Sequence, residues 1–214
     1  MNFAVVEPYA SMFWGGLAVT LEVTGAALAL AFALGALIAV LKVLPCRPLR
    51  LLLDFYTSIF RGIPLIVLLF IAYFATPQLT GYKISMFAAS VLTLGLNGSA
   101  TVSETLRGGI EGVDHGQYDA SRALALPYTT MMTRIIIPQA LRSVAPALVN
   151  EVITVLKSSS LVATIGLMDM MRAAQSVQAL TYRAFEPFII VAVIYYVIVM
   201  ALTLVARRLE QRLR

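Results

Sequence analysis

The chain has 214 residues, of which 60% are hydrophobic and only 13% charged, with a mean hydropathy of +0.87 and a net charge of +5. Soluble domains run near 45–50% apolar and about 25% charged, so this composition excludes an ordinary soluble fold and points to a chain whose outer solvent is lipid. The positive charge does not read as a nucleic-acid footprint, because the basic residues fall in short gaps between apolar runs with no aromatic interleaving.

The stretch from Met1 to Ser11 carries Glu7 and Pro8 and lacks the basic start of a secretory signal. Val23 to Leu41 is then an uncharged run closed by Lys42, with Glu22 at the edge of the bilayer. Cys46, the only cysteine, excludes an intrachain disulfide and a cysteine-rich metal site, and reads as a free thiol near a membrane surface. Leu51 to Thr76 is apolar apart from Asp54 and Arg61. Gly62 and Pro64 beside Arg61 predict a broken or kinked span, tolerated where backbone lines a cavity. Ile84 to Leu106 carries Asn97 and Glu104, and Ser143 to Gly166 carries Asn150, Glu151 and Lys157. Phe188 to Ala206 is clean, with Pro187 in its first turn and Arg207 and Arg208 at its far end.

The expected fold is therefore all-α: one membrane domain over 1–214 with about five spans, placed near 19–42, 51–76, 84–107, 143–166 and 187–207. An odd number of spans puts the termini on opposite sides. Lys42, Arg47, Arg50, Arg122, Arg134, Arg142, Arg207, Arg208, Arg212 and Arg214 then share one side, against Lys83, Arg172 and Arg183 on the other. That asymmetry predicts the N-terminus outside and the C-terminus in the cytoplasm. So few spans leave one chain little room for a sealed pathway, so a dimer is expected.

The connection over 111–142 is too polar to span and too rich in helix formers for a plain loop. Gln117 to Leu126 reads as a short helix ended by Pro127, and Tyr128 to Ile137 as a second closed by Pro138. Together they form a knob on the cytoplasmic face, which physics alone assigns equally to partner docking or to an amphipathic hairpin lying on lipid.

Along the next span back, Asn97, Thr101, Glu104 and Gly108 recur at helical spacing and share one face. A carboxylate in a span needs a polar cavity or a cation. Glu104 therefore reads either as the ligand of a solute ammonium, with Asn97 and Thr101 adding hydrogen bonds, or as an ion pair with Arg61, Lys157 or Arg107. The Lys157–Ser160 segment is a second polar interruption, where the hydroxyls of Ser159 and Ser160 can satisfy freed backbone or touch solute. No G-x-x-x-x-G-K-[ST] run is present, so the chain is not itself expected to be an ATPase. The lone histidine, His115, reads as a solvated surface residue.

The run Gly116-Gln117-Tyr118-Asp119-Ala120-Ser121-Arg122-Ala123-Leu124-Ala125 resembles the EAA loop of bacterial ABC importer permeases, which in the polar amino acid branch reads G-Q-x-E-A-A-x-A-L-G. The similarity continues through Arg134 to Arg142, Pro146, Asn150 and Lys157-Ser158-Ser159-Ser160-Leu161. Upstream it covers Gly16 to Leu21, Arg61-Gly62-Ile63-Pro64-Leu65 and Glu104 to Ile110, so it spans nearly the whole chain in order. Asp119, Ser121 and Ala125 depart from the branch's Glu, Ala and Gly. The last change removes easy access to positive φ where the loop turns.

The resemblance implies a permease subunit in the bacterial cytoplasmic membrane that moves a polar amino acid or related solute by alternating access. It implies a cytoplasmic ATPase dimer that holds ATP and magnesium, with no cofactor on this chain. It also implies an extracytoplasmic solute-binding protein and a second permease subunit, either a copy or a relative. The coupling surface would include Gln117, Asp119, Ala120, Ser121, Arg122 and Ala125. The solute path would involve Asn97, Thr101, Glu104, Lys157, Ser159 and Ser160, with Arg61 and Arg107 as gating or ion-pair candidates. An ion-gradient transporter would explain Glu104 and the broken helix but not the knob. A membrane-embedded enzyme would need an interfacial His, Asp or Cys cluster that the sequence lacks.

Overall fold

The computed structural model describes residues 2–213. Every regular element among them is helical. Two short 3-10 turns, Phe3–Val5 and Glu7–Tyr9, lead into α1 (Ala10–Val43). There follow α2 (Arg47–Gly62), α3 (Leu65–Thr80), α4 (Met86–Glu111), α5 (His115–Ala123), α6 (Tyr128–Ile165), α7 (Met170–Thr181) and α8 (Phe185–Leu213). Four helices, α1, α4, α6 and α8, are long and apolar enough to cross a membrane, and α2 with α3 makes a fifth candidate, bent by 102°.

The bend sits where Gly62 and Pro64 were expected to break the span. α2 ends at Gly62, Ile63 is extended, and Pro64 is the N-cap of α3.

α4 is the central helix and is lined with small residues. Gly35, Gly95 and Gly98 sit on the α1–α4 seam, and a Cβ on Gly35 would lie 2.6 Å from Val102 Cγ1. Such residues let two backbones approach where lipid gives no hydrophobic incentive to associate. Val23, Ala27, Leu94, Val155 and Val162 close the layer between α1, α4 and α6. α8, the most apolar span, is the least buried, with Val193, Tyr196, Val197, Leu204 and Val205 exposed.

One expectation is corrected. Pro138 does not close a short second helix. The backbone widens to a π-helical stretch at Met132–Ile136, Pro138 falls in the first turn of the following segment, and α6 runs on into the membrane. The wider turn accommodates a residue that has no N–H to donate.

The fourth crossing ends at Ile165, close to the expected 166. Its last turns tighten to 3-10 geometry at Ser159–Ile165, and Gly166 turns at φ +94°. The chain then continues as α7, a helix outside the five expected spans. α7 packs between α1 and α8 through Phe13, Met170, Ala173, Ala174, Val177 and Val191. Its start is held inside the bundle. Asp169 Oδ1 accepts from Arg172 N at 2.8 Å, and Thr20 Oγ1 accepts from Met170 N at 3.1 Å. Gly16 makes the approach possible, since a Cβ there would stand 2.8 Å from the Asp169 carbonyl oxygen.

Candidate functional site

The candidate site residues fall into three sets. The first is a charge web where α1, α2 and α4 end on the basic face. Lys42 is 3% exposed. Its Nζ lies 2.6 Å from Glu104 Oε1, 2.8 Å from Asp54 Oδ1 and 2.9 Å from Thr57 Oγ1. Glu104 Oε2 accepts from Arg107 at 2.7 Å, and Arg107 reaches on to Glu111 at 2.7 Å. A buried ammonium is tolerated only when paired and hydrogen-bonded, and here its partners come from two neighbouring helices.

In this structure Glu104 is held in ion pairs. Its carboxylate is taken by Lys42 and Arg107, so Arg107 is the partner among the three expected, and Arg61 and Lys157 are not. Arg61 is exposed and makes no ion pair among the described residues. The sequence reading missed Lys42, because a lysine closing an apolar run looks like a residue that snorkels to the interface.

The second set surrounds the break. In an unbroken helix the Phe60 carbonyl would accept from residue 64, but Pro64 has no N–H. Asn97 Nδ2 donates to Phe60 O instead, at 2.5 Å. Tyr56 binds the same two helices together, with its hydroxyl 3.1 Å from Leu96 O and 2.7 Å from Ser99 Oγ. Thr101, one turn beyond Asn97, makes no side-chain hydrogen bond among the described residues. On the facing helix α6, Glu151 is half-buried. Its Oε1 lies 3.8 Å from where a Cβ on Gly98 would stand. Among the described residues Glu151 has no ion pair and no side-chain hydrogen bond, unlike Glu104. Only the structure separates these two carboxylates, since both read as lone acids in a span. The hydroxyls of Ser159 and Ser160 turn back to the Leu156 and Lys157 carbonyls at 2.7 and 2.8 Å. Lys157 is exposed and lines a cavity of about 330 Å³ with Ser160, Met171 and Tyr195.

The third set is the knob. Asp114 caps α5 by accepting from Gly116 N at 2.7 Å. α5 ends in a Schellman arrangement, with Leu126 N donating to Ser121 O at 3.1 Å and Ala125 N to Arg122 O at 2.9 Å. Ala125 holds the left-handed position at φ +51°, the geometry for which glycine is usual. Ser121 is buried, its hydroxyl on the Gln117 carbonyl at 2.6 Å. Gln117, Asp119, Ala120 and Arg122 face outward, and Asp119 and Arg122 are each 74% exposed and 3.6 Å apart. Beneath them Val113, Met131, Met132, Ile136 and Ala140 form a small core of the knob's own. Tyr118 Oη donates to Ile110 O at 3.0 Å, tying α5 to the end of α4. Burial pushes the Tyr118 phenol above its ordinary pKa, with Tyr128 and Glu111 adding to the shift, so it stays a donor at neutral pH.

No group of His, Cys, Asp and Glu suited to a metal occurs among the described residues. A helical bundle with a broken crossing, polar groups between its helices and an outward-facing knob defines a multi-pass membrane protein. Residues 17–214 match the family of binding-protein-dependent transport system inner membrane components, and the chain belongs to that family. It is 42% identical over 214 residues to the arginine transport system permease protein ArtQ of Bacillus subtilis, covering 100% of this chain and 98% of the relative. It is 44% identical to the putative glutamine transport system permease protein GlnP of Rickettsia bellii, over 92% and 91% of the two chains. A crystal structure of an amino acid ABC transporter with histidines superimposes with a TM-score of 0.94 at 38% identity, over 99% of both chains. The chain is thus a multi-pass inner membrane permease subunit of an ABC importer.

Proposed function

We propose that this permease carries an amino acid with a free ammonium group, and that Glu151, not Glu104, receives it. The observation that carries the reading is the contrast between the two acids: Glu104 is paired twice, whereas Glu151 is half-buried with no partner among the described residues. An unpaired carboxylate in a span is costly unless it faces water or a cation. Thr101 and the free oxygen of the Asn97 amide, on the facing helix α4, add hydrogen-bonding capacity. Lys157, at the cavity shared with Ser160, is the group of opposite sign on the same helix and suits a solute carboxylate. The likeness to permeases named for arginine and glutamine supports an amino acid cargo.

The outward residues Gln117, Asp119, Ala120 and Arg122 form the surface on which a separate cytoplasmic ATPase docks, with Ser121 and Ala125 shaping it from below. The knob and the α1 C-terminus face the cytoplasm, and the N-terminus lies outside, where a solute-binding protein delivers the amino acid to a dimer of permease chains. ATP and magnesium sit on the ATPase.

The test is ATP-driven uptake by the assembled importer in vesicles, comparing Glu151→Gln with Glu104→Gln. Losing a hydrogen bond to a charged group costs about 1.5–3 kcal/mol, or roughly 10–150-fold in half-saturating solute. That rise is expected for Glu151→Gln, whereas Glu104→Gln should lower stability and leave charge preference unchanged. Unaltered uptake by a well-folded Glu151→Gln transporter would remove Glu151 from the path. Uptake that followed a proton gradient without ATP would overturn the ATPase reading.

A further inference from the structure

At the start of α2 the surface opens into a cleft of about 440 Å³ lined by Leu44, Pro45, Cys46, Arg47, Arg50, Leu51 and Asp54. Its charges are unbalanced. Arg47 makes no ion pair or side-chain hydrogen bond among the described residues, and Arg50 only approaches Asp54, at 3.9 Å, while remaining 52% exposed. Asp54, the one carboxylate lining the cleft, already accepts the buried Lys42 at 2.8 Å. Two guanidinium groups therefore face an opening whose only acid is satisfied from behind.

The same helix then turns apolar and stays uncovered. Leu51, Leu52 and Phe55 are 62%, 64% and 65% exposed, one to two turns beyond the arginines. From Arg47 to Phe55 the helix rises about 12 Å, which spans a headgroup and the first part of an acyl chain. A free phosphate ion would use the arginines and leave this strip unexplained. A phospholipid uses both.

We propose that the Arg47–Arg50 cleft binds an anionic phospholipid of the leaflet on the basic face, with its phosphodiester on the two guanidinium groups and an acyl chain along Leu51, Leu52 and Phe55. Arginine suits this role because its planar fork pairs phosphate oxygens bidentately and is weakly hydrated. Basic residues at a membrane surface favour anionic lipid by roughly fivefold each, so the pair gives about 30-fold over a neutral lipid.

Cys46 provides the reporter, being exposed, in the cleft and the only cysteine of the chain. The assembled importer is placed in phosphatidylcholine nanodiscs with rising phosphatidylglycerol. Alkylation of Cys46 by a neutral maleimide is followed by mass spectrometry of its peptide. In the wild type, alkylation should slow as phosphatidylglycerol rises. In Arg47→Gln/Arg50→Gln, half-protection should need about 30-fold more anionic lipid or never be reached. Equal protection in both proteins would mean a surface-potential effect and overturn the proposal. Protection by soluble glycerol phosphate in pure phosphatidylcholine would replace the lipid with a phosphate ion. A Cys46 unreactive in every disc would show the cleft closed by another subunit, which also overturns it. Equal melting temperatures in pure phosphatidylcholine serve as the folding control for the variant.

Discussion

Ala125→Gly isolates one backbone angle. Ala125 sits at φ +51° in the turn that ends α5, it is exposed, and its two flanking backbone hydrogen bonds are already made. Glycine would remove no packing and no donor. A left-handed conformation costs a side-chain-bearing residue roughly 1–2 kcal/mol. Glycine in turn loses about 0.4–1 kcal/mol through the greater freedom of its unfolded chain. The difference is a net gain of about 0.5–1 kcal/mol, local to the end of α5. Hydrogen exchange in the intact importer should read it as roughly two- to fivefold slower exchange at Leu124, Ala125 and Leu126, with the α4 amides unchanged. The same variant tests coupling. If the strained turn sets the angle at which the knob meets its ATPase, solute moved per ATP changes while basal hydrolysis does not. Faster exchange at these amides, or a fall in stability, would refute the assignment of strain to this angle.

Lys42→Met should cost about 3 kcal/mol in stability to denaturant, at the low end for a broken buried pair because Arg107 still holds Glu104. Restoring much of that stability with Lys42→Met/Asp54→Asn/Glu104→Gln would confirm that stranded carboxylates, not lost packing, cause it. Asn97→Leu leaves the Phe60 carbonyl unpaired at the break, with an expected loss of about 1–3 kcal/mol. Asn97→Asp should not rescue it, since an ionised carboxylate has no proton to donate. Gly16→Val places a side chain into the backbone at Asp169 and Met170, so a loss of about 1–3 kcal/mol or more is expected in thermal unfolding. Gly15→Val next to it meets open space and should be near neutral.

The membrane character and the break at Gly62–Pro64 were legible because each has a one-dimensional signature: an apolar run, and a residue lacking an N–H. The knob was legible as a motif, and the strain at Ala125 followed from seeing alanine where the turn favours glycine. What stayed hidden depends on distances across the chain. Lys42 and Glu104 are 62 positions apart and meet only when α1 packs on α4. Glu104 and Glu151 look alike in sequence, and only the packed bundle gives one two cations and leaves the other without. α7 fell outside the expected spans because its membership of the core comes from a few small residues, Ala173, Ala174 and Val177, rather than from a long apolar run.

The Lys42 web also bears on how the chain enters the membrane. A segment leaving the ribosome as far as Val43 carries a lysine with no partner. Its first carboxylate, Asp54, emerges about a dozen residues later, and its second, Glu104, only after another full crossing has been made. α1 is thus expected to hold Lys42 at the lipid–water boundary until α2 arrives and neutralises it. It would settle to its final depth only when α4 inserts. A chain truncated before Glu104 should show Lys42 accessible to aqueous amine reagents, and a chain extended past Arg107 should show it protected. In that picture the ammonium acts as a checkpoint in biogenesis, keeping the first helix provisional until the helix it must pack against exists.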